Sequence, residues 1–353
     1  MEREWSIRKY QEGDEKQLIE LRKVIAGETR SERYWKWQFM DCPAGAAKLW
    51  LAMTNEKAVG QYVMIPIYMK IGDETVTGSM TLDLMTHPDY RRQGIFELLA
   101  RKTYEEARRD EICITFGSPN ELAYPGYIKK LDWFDICLLP RMTKILNLGS
   151  VLKRRTGNKM LSEIGSLWGN AVLATKYRAL PSSYMPDVEI KRTSSFDDRI
   201  DEFWGKASAN LKVAVVRDKK YLNWRYVDKP GHDYTIYLAE RRGEVLGYVI
   251  LKLVENGGRR GVIVDILALP DQEAIAHILI AKSVEHFKRE DADAIDCWML
   301  ASSVYYGVLK KMGFMRRPDL RRLAWRFFTS KVSKEFLTDT NNLFFTRGDS
   351  DTI

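Results

Sequence analysis

Apolar residues alternate with polar ones over some stretches of this chain and recur every three or four residues over others, and the two periods mark out its elements. Trp5 to Tyr10 alternates and reads as a strand. Leu18, Ile19 and Leu21 mark a short helix from Asp14 to Val24, opened by Gly13-Asp14. Ser31 is placed to cap a second helix, Glu32 to Met40, whose Tyr34, Trp35, Trp37 and Phe39 cluster. Lys48 to Thr54 and Lys57 to Pro66 read as strands joined at Asn55-Glu56, and Ile67 to Ile71 with Glu74 to Leu84 as a further hairpin. Between Thr81 and Leu99 the apolar run breaks into a loop of Pro, Arg, Gln and Gly, then restarts as a helix from Ile95 to about Arg109. Ile112 to Phe116 is a wholly apolar strand ended by Gly117-Ser118-Pro119-Asn120. A short helix started by Pro125 follows, and Trp133-Phe134 opens a last strand.

The second half echoes the first. Tyr34, Trp37 and Pro43 return as Tyr221, Trp224 and Pro230, and Leu51-Ala52 with Val59-Gly60 as Leu238-Ala239 with Leu246-Gly247. Leu82-Asp83-Leu84 returns as Val264-Asp265-Ile266, and Tyr127 to Leu131 as Val308 to Met312. Four echoes in one order imply a duplicated domain, because repeat arrays have much shorter periods. Residues 149–186 between the copies hold Arg154, Arg155, Gly157, Gly165 and Pro181, with helical apolar spacing from Ile164 to Leu173, and read as a structured bridge.

Composition narrows the class without naming a function. With 353 residues, 45% hydrophobic and 29% charged, the chain is expected to be globular, with about two domains. Its charged, aromatic first ten residues do not read as a signal peptide, and no apolar run approaches the roughly 20 residues of a membrane span, so a cytoplasmic protein is expected. Cys42, Cys113, Cys137 and Cys297 have no metal-ligand spacing, nor do the four histidines, and no metal site is expected. A net charge of +8 favours an anionic partner. The densest basic run, Lys153-Arg154-Arg155 with Lys159, has no interleaved aromatics and reads as a solvated face of the bridge.

The loop before the Ile95 helix is the candidate anion cradle. Gly94 admits a ligand close to the backbone, Arg91 and Arg92 bring positive charge, and the new helix points unpaired N–H groups into the loop. An ordinary strand-to-helix turn with solvated arginines is the plain alternative. In the second copy the same place reads Asp271-Gln272-Glu273-Ala274-Ile275, with no glycine and acid in place of base, which would repel a phosphate.

These elements in this order resemble the GNAT superfamily of acyl-CoA-dependent N-acetyltransferases. Its signature of Arg or Gln, two residues, Gly, one residue, then Gly or Ala reads here as Arg91-Arg92-Gln93-Gly94-Ile95-Phe96, with Phe96 in place of the last small residue. His87-Pro88 precedes it, and Asn120 to Trp133 is similar to the family's closing segment, with Asp132-Trp133 where Gly-Phe is usual. The resemblance implies an α+β fold of two tandem GNAT-like domains, each a mixed, mostly antiparallel sheet flanked by helices. Residues 1–148 would be the acyl-CoA-binding domain, 149–186 a helical bridge, 187–330 a degenerate second domain and 331–353 a tail.

Carried onto this chain, it implies that the backbone at Met85 and Thr86 pairs with the pantetheine arm of acetyl-CoA, that the stretch Arg91, Arg92, Gln93, Gly94, Ile95 and Phe96 holds the pyrophosphate, and that Asn120 contacts the arm further along. The acceptor would be a primary amine of a small molecule, sugar or peptide, attacking directly. Asp83, at the end of the strand feeding the loop, is a candidate base, with a capping carboxylate as its plain alternative. Counting back from Leu131-Asp132 puts the family's acidic tyrosine at Ile128, so Tyr127 and Tyr124 are the available phenols. Tyr34 to Phe39, with Trp50 and Tyr62, line either an acceptor pocket or the core. Two other functions fit parts of the pattern: a CoA-binding sensor or scaffold without turnover, and an aminoacyl-tRNA-dependent transferase of related doubled fold.

Overall fold

The computed structural model describes residues 4–55, 57–156, 185–231, 233–255, 257–318, 321–329 and 332–350. Two mixed sheets flanked by helices form an α+β architecture. The first half runs β1 (Ser6–Lys9), α1 (Glu15–Ala26), α2 (Glu32–Phe39), β2 (Lys48–Thr54), β3 (Lys57–Ile71), β4 (Glu74–Thr86), α3 (Ile95–Arg109), β5 (Ile114–Gly117), α4 (Tyr124–Lys130), β6 (Phe134–Leu138) and β7 (Arg141–Ile145). A helix Leu148–Thr156 begins the bridge; the Ile164 to Leu173 spacing, Lys159 and the side chains of Arg154 and Arg155 lie outside the described residues. The second half contributes β8 (Glu189–Thr193), β9 (Val213–Val215), β10 (Thr235–Arg241), β11 (Glu244–Glu255), β12 (Arg259–Ala268), β13 (Ala294–Trp298), β14 (Met315–Arg317) and β15 (Arg322–Phe327). Its long helix, Glu273–Arg289, occupies the place of α3.

One expected break is absent. Lys57 to Pro66 and Ile67 to Ile71 are one strand, β3, paired with β4 along its length, Pro66 opposite Ser79. On the other edge β3 pairs with β2 up to Met64 and with β9 from Met69 onward. Pro66 falls in the gap between those partners, where its missing N–H leaves no ladder bond unmade.

The sheets do not divide as the segments 1–148 and 187–330 do. The first has the order β1-β2-β3-β4-β5-β15-β6, and the second β14-β7-β13-β12-β11-β10-β8. Each half therefore lends strands to the other's sheet: β15 lies antiparallel between β5 and β6, β9 adds to β3, and β7 lies between β13 and β14. The reason is local. Only Leu139-Pro140 joins β6 to β7, and a two-residue hairpin needs positive φ, which Leu-Pro does not supply. The chain crosses instead, burying Leu139, whose N–H donates to the Arg321 carbonyl 2.9 Å away.

The echoes become a pseudo-two-fold relation. Trp37 and Trp224, 187 residues apart, stack with centroids 5.4 Å apart, and each indole N–H donates to the other's backbone carbonyl, at 2.6 and 2.9 Å. The shared glycines are explained by contact. A Cβ on Gly60 would sit 2.8 Å from the Ile95 side chain, and one on Gly247 would sit 3.1 Å from that of Ile275. In both copies the strand glycine lets the first isoleucine of the long helix press against the sheet. Among the described residues no helix is long and apolar enough to cross a membrane, and no group of His, Cys, Asp and Glu could hold a metal ion.

Candidate active site

β4 and β5 are parallel neighbours over only two pairs, Ser79 with Thr115 and Met80 with Phe116. The Thr81 and Thr115 hydroxyls bond at 2.8 Å, a Cβ on Gly117 would lie 3.0 Å from the Thr81 carbonyl, and beyond that point the strands part. β4 runs on alone to Thr86, held by β3 on one edge and open on the other, so Met85 and Thr86 stand on the cleft's edge. A bulge precedes them. The register jumps from Gln61–Met85 to Val63–Leu82, and Asp83 takes φ 49° to absorb the extra residue.

After β4, a single turn at Pro88–Tyr90 leads into the loop. Arg92 and Gly94 adopt φ 63° and 83°, which turns the chain into α3. A Cβ on Gly94 would meet nothing within 4 Å, so the backbone angle demands glycine there and crowding does not. Among the described residues the N–H groups of Arg92, Gln93, Gly94, Ile95 and Phe96 have no partner; the Gly94 carbonyl already accepts the first helical bond, from Leu98. Arg91, Arg92 and Gln93 are exposed, and Gln93 is anchored by the Trp5 indole N–H at 2.9 Å.

Phe96 does not crowd this loop. Its ring turns away, to 5.9 Å from Tyr62 and 5.6 Å from Tyr127, and fits over Gly126, where a Cβ would lie 2.9 Å from the ring edge. The large residue at the end of the motif is thus matched by a missing side chain in α4.

Of the other expected residues, Asn120 is exposed at the entrance to α4, its side-chain oxygen accepting from the Ala123 N–H at 2.9 Å. Tyr127 is buried, packed edge-on to Trp133 at 4.4 Å, with its hydroxyl hydrogen-bonded to Tyr62. Tyr62 in turn bonds Tyr104 at 2.6 Å, and burial pushes both phenols up, that of Tyr104 to about 12. Tyr124 is half-exposed. Its hydroxyl donates to Asp135 at 2.7 Å, Asp135 pairs with Arg322, and the Arg322 guanidinium lies 4.9 Å over the Tyr124 ring. The carboxylate raises the Tyr124 phenol above its ordinary range by stabilising the protonated form. Ile128 packs half-buried against the core.

Asp83 has both oxygens engaged: Oδ1 by Arg22 of α1 at 2.5 Å and Oδ2 by Arg30 of the α1–α2 loop. The Gln61 side-chain amide donates to the Asp83 carbonyl at 2.7 Å, while Gln61 Oε1 and Arg22 Nε are buried with no partner among the described residues. Nothing in the sequence pattern marks Gln61, Arg22, Arg30 or Arg322, because each is brought in by an element distant in the chain. Of the aromatics suggested for a pocket, Trp35, Trp37, Phe39 and Tyr62 are buried in the core, and the Trp50 indole N–H donates to Glu106 at 2.9 Å. Tyr34 alone of α2's aromatics is half-exposed, with Arg30 4.8 Å over its ring. The cysteines are free thiols; burial raises Cys42 to about 12 and Cys137 to about 11, which leaves them protonated and poor nucleophiles at neutral pH.

The corresponding cleft of the second half is open but differently lined. β12 and β13 pair from Arg260–Ala294 to Ile263–Cys297 and then part, but the Ala268 N–H at the open edge donates to the Tyr305 hydroxyl at 2.7 Å. At the helix start, Glu273 pairs with Lys311 at 2.7 Å and sits 3.5 Å from His277, so the helix's positive end meets a carboxylate of its own. Deeper in, Arg217, wholly buried, pairs with Asp265 at 3.1 Å and with Asp349 of the C-terminal segment at 2.7 Å. A cavity of about 510 Å³ remains beside Tyr305, bordered by Lys212, Asp271, Ser303 and Asn342.

Residues 6–134 match the family model described as an acetyltransferase (GNAT) domain. By sequence, no curated protein matches the chain. Among solved structures it is similar to a GCN5-related N-acetyltransferase from Anabaena variabilis, with TM-score 0.67 at 13% identity over 92% of this chain and 73% of that one. It is also similar to a probable N-acyltransferase from Enterococcus faecalis, with TM-score 0.64 at 12% identity over 92% and 72%. A tandem GNAT protein from the clavulanic acid biosynthesis pathway is matched along its whole length, with TM-score 0.57 at 13% identity over 93% of this chain. The chain thus carries a GNAT acetyltransferase domain in its first half, within the doubled fold of the tandem GNAT proteins.

Proposed function

We propose that the chain is an acyl-CoA-dependent N-acyltransferase working in its first half, with acetyl-CoA as donor and a primary amine as acceptor. The observation that carries this reading is the row of unpartnered N–H groups from Arg92 to Phe96 beside the open edge of β4. Backbone donors at a helix start hold a pyrophosphate, and a strand edge satisfies the amides of the pantetheine arm. Arg91 and Arg92 add charge at the rim, and Asn120, its oxygen engaged in the turn, offers its amide N–H groups to the arm. Bound there, acetyl-CoA supplies the acyl group, and the attacking amine approaches from the side of Asp83 and Tyr34.

The phenol best placed to return a proton to the departing thiolate is Tyr124. Its hydroxyl is half-open and kept protonated by Asp135, whereas the Tyr127 hydroxyl is tied into the buried tyrosine network. Asp83 acts as a positioning residue in this reading: its ion pairs with Arg22 and Arg30 fasten the bulge to α1 and α2, and taking a proton from the amine would cost it one of them. The second half closes the acceptor side.

Thiol release from acetyl-CoA across a panel of amines tests the reading, with Gly94→Asp as the blank. Saturable release that this variant abolishes is expected. No binding of CoA by calorimetry overturns it. Because both oxygens of Asp83 are engaged, a CoA-binding protein without turnover is the second reading, and binding with no product from any amine would select it.

A further inference from the structure

We propose that the second half carries a ligand site of its own, in the cleft that corresponds to the cofactor cleft of the first, and that this site takes a primary amine with an apolar body instead of acyl-CoA. A cavity of about 510 Å³ lies there, within the size range of small-molecule sites. Segments distant in the chain build it: the turn after helix Arg199–Ala207, the end of β12 with the start of helix Glu273–Arg289, the start of helix Val304–Lys311, and residues 341–344 of the C-terminal segment. Its apolar floor is Leu267, Ala276, Tyr305, Leu343 and Phe344, with the Tyr305 and Phe344 ring centroids 6.0 Å apart. The proposal stands apart from the acyltransferase reading, since none of these residues belongs to the first-half cleft.

What lines the cavity argues against the first half's ligand. The loop from Pro270 to Ile275 is two residues shorter than that from Pro88 to Ile95, and it carries Asp271 and Glu273 where the longer loop carries Arg91 and Arg92. A pyrophosphate would meet two carboxylates. A pantetheine arm would find no free strand edge: past the last pair of β12 with β13, the Ile266 N–H is taken by the Asp265 carboxylate at 3.0 Å and the Ala268 N–H by the Tyr305 hydroxyl at 2.7 Å. Of the three charged side chains bordering the cavity, two are engaged: Glu273 pairs with Lys311 at 2.7 Å, and Lys212 donates to the Asn342 side-chain oxygen at 2.9 Å. Asp271, exposed at the rim, has no side-chain partner among the described residues. A carboxylate at the rim of an apolar cavity holds an ammonium while the body of the molecule is buried on the floor.

Calorimetry with molecules of one body and different charge tests it: 2-phenylethylamine, 2-phenylethanol and phenylacetate, each titrated into the full chain. Saturable binding of the amine is expected, with the alcohol weaker by at least about threefold, the worth of one exposed ion pair, and with no binding of phenylacetate. Asparagine tolerates the φ of 59° at position 271, so Asp271→Asn is expected to fold normally and to bind amine and alcohol equally. Ala276→Leu, which puts a larger side chain into the cavity, is expected to abolish binding of both; should that variant fail to fold, Asp271→Asn decides by itself. Equal binding of phenylacetate, an amine affinity unchanged by Asp271→Asn, or no saturable heat with any of the three overturns the proposal. CoA binding that survives Gly94→Asp and is lost when Ala276→Leu is added would assign the cleft to CoA and overturn it as well. Thiol release from acetyl-CoA without amine binding in this cleft overturns the second site while leaving the acyltransferase reading standing.

Discussion

At Gly94 the left-handed backbone and the open space around the α-carbon separate two consequences of one substitution. Gly94→Asp meets no neighbour, so its folding penalty is the cost of a side chain at positive φ, about 1 kcal/mol. Its carboxylate, however, faces the donors meant for an anion. CoA binding by calorimetry is expected to vanish while the thermal transition moves only slightly. Tyr124 offers a test by pH. Asp135 raises its phenol, so the alkaline fall of kcat is expected above the ordinary tyrosine range, and in Asp135→Asn it moves down towards about 10. A pH–rate profile reads this directly, and an unmoved limb would exclude Tyr124 as the acid. Residues of the loop were legible in the sequence because Arg91 to Phe96 are contiguous. Arg322 was not, since it reaches Asp135 from 187 positions away.

Elements explain the two places where local rules and the structure part. Pro66 looks like a strand end, and it lies inside β3 because neighbouring strands leave its edge vacant there. Phe96 looks too large for a helix start beside a pyrophosphate, and α4 accommodates it with Gly126. That pairing predicts a coupling: Gly126→Val drives Cβ into the ring and is expected to cost about 1–3 kcal/mol as overpacking, partly restored by Phe96→Ala in the same chain. Urea denaturation of the two single variants and the double variant measures it. Strict additivity would mean that the ring and α4 do not meet in solution.

The whole molecule is bound by its exchanged strands and by the buried Arg217. Because β15 lies between β5 and β6, and β7 between β13 and β14, neither sheet is complete without the other half. One cooperative unfolding transition is therefore expected, with calorimetric and van't Hoff enthalpies equal. Two resolved transitions would contradict the interlock. Arg217→Met strands Asp265 and Asp349 in the interior and is expected to destabilise the chain by about 3–5 kcal/mol, read as a shift in the urea midpoint. An Arg217→Met protein of unchanged midpoint would show that the C-terminal segment contributes little to the fold.

By itself the sequence determined the elements, their order and their duplication, because alternation, helical spacing and capping are written within a few residues of where they act. It also marked the candidate anion loop and the acid-for-base change in the second copy, as both are short contiguous motifs. Tertiary structure alone decided which strand completes which sheet, since Leu139-Pro140 only forbids a hairpin and the partner must be found elsewhere. It decided as well which phenol is buried and what holds Asp83. Those depend on contacts between residues more than fifty positions apart, which no local period encodes.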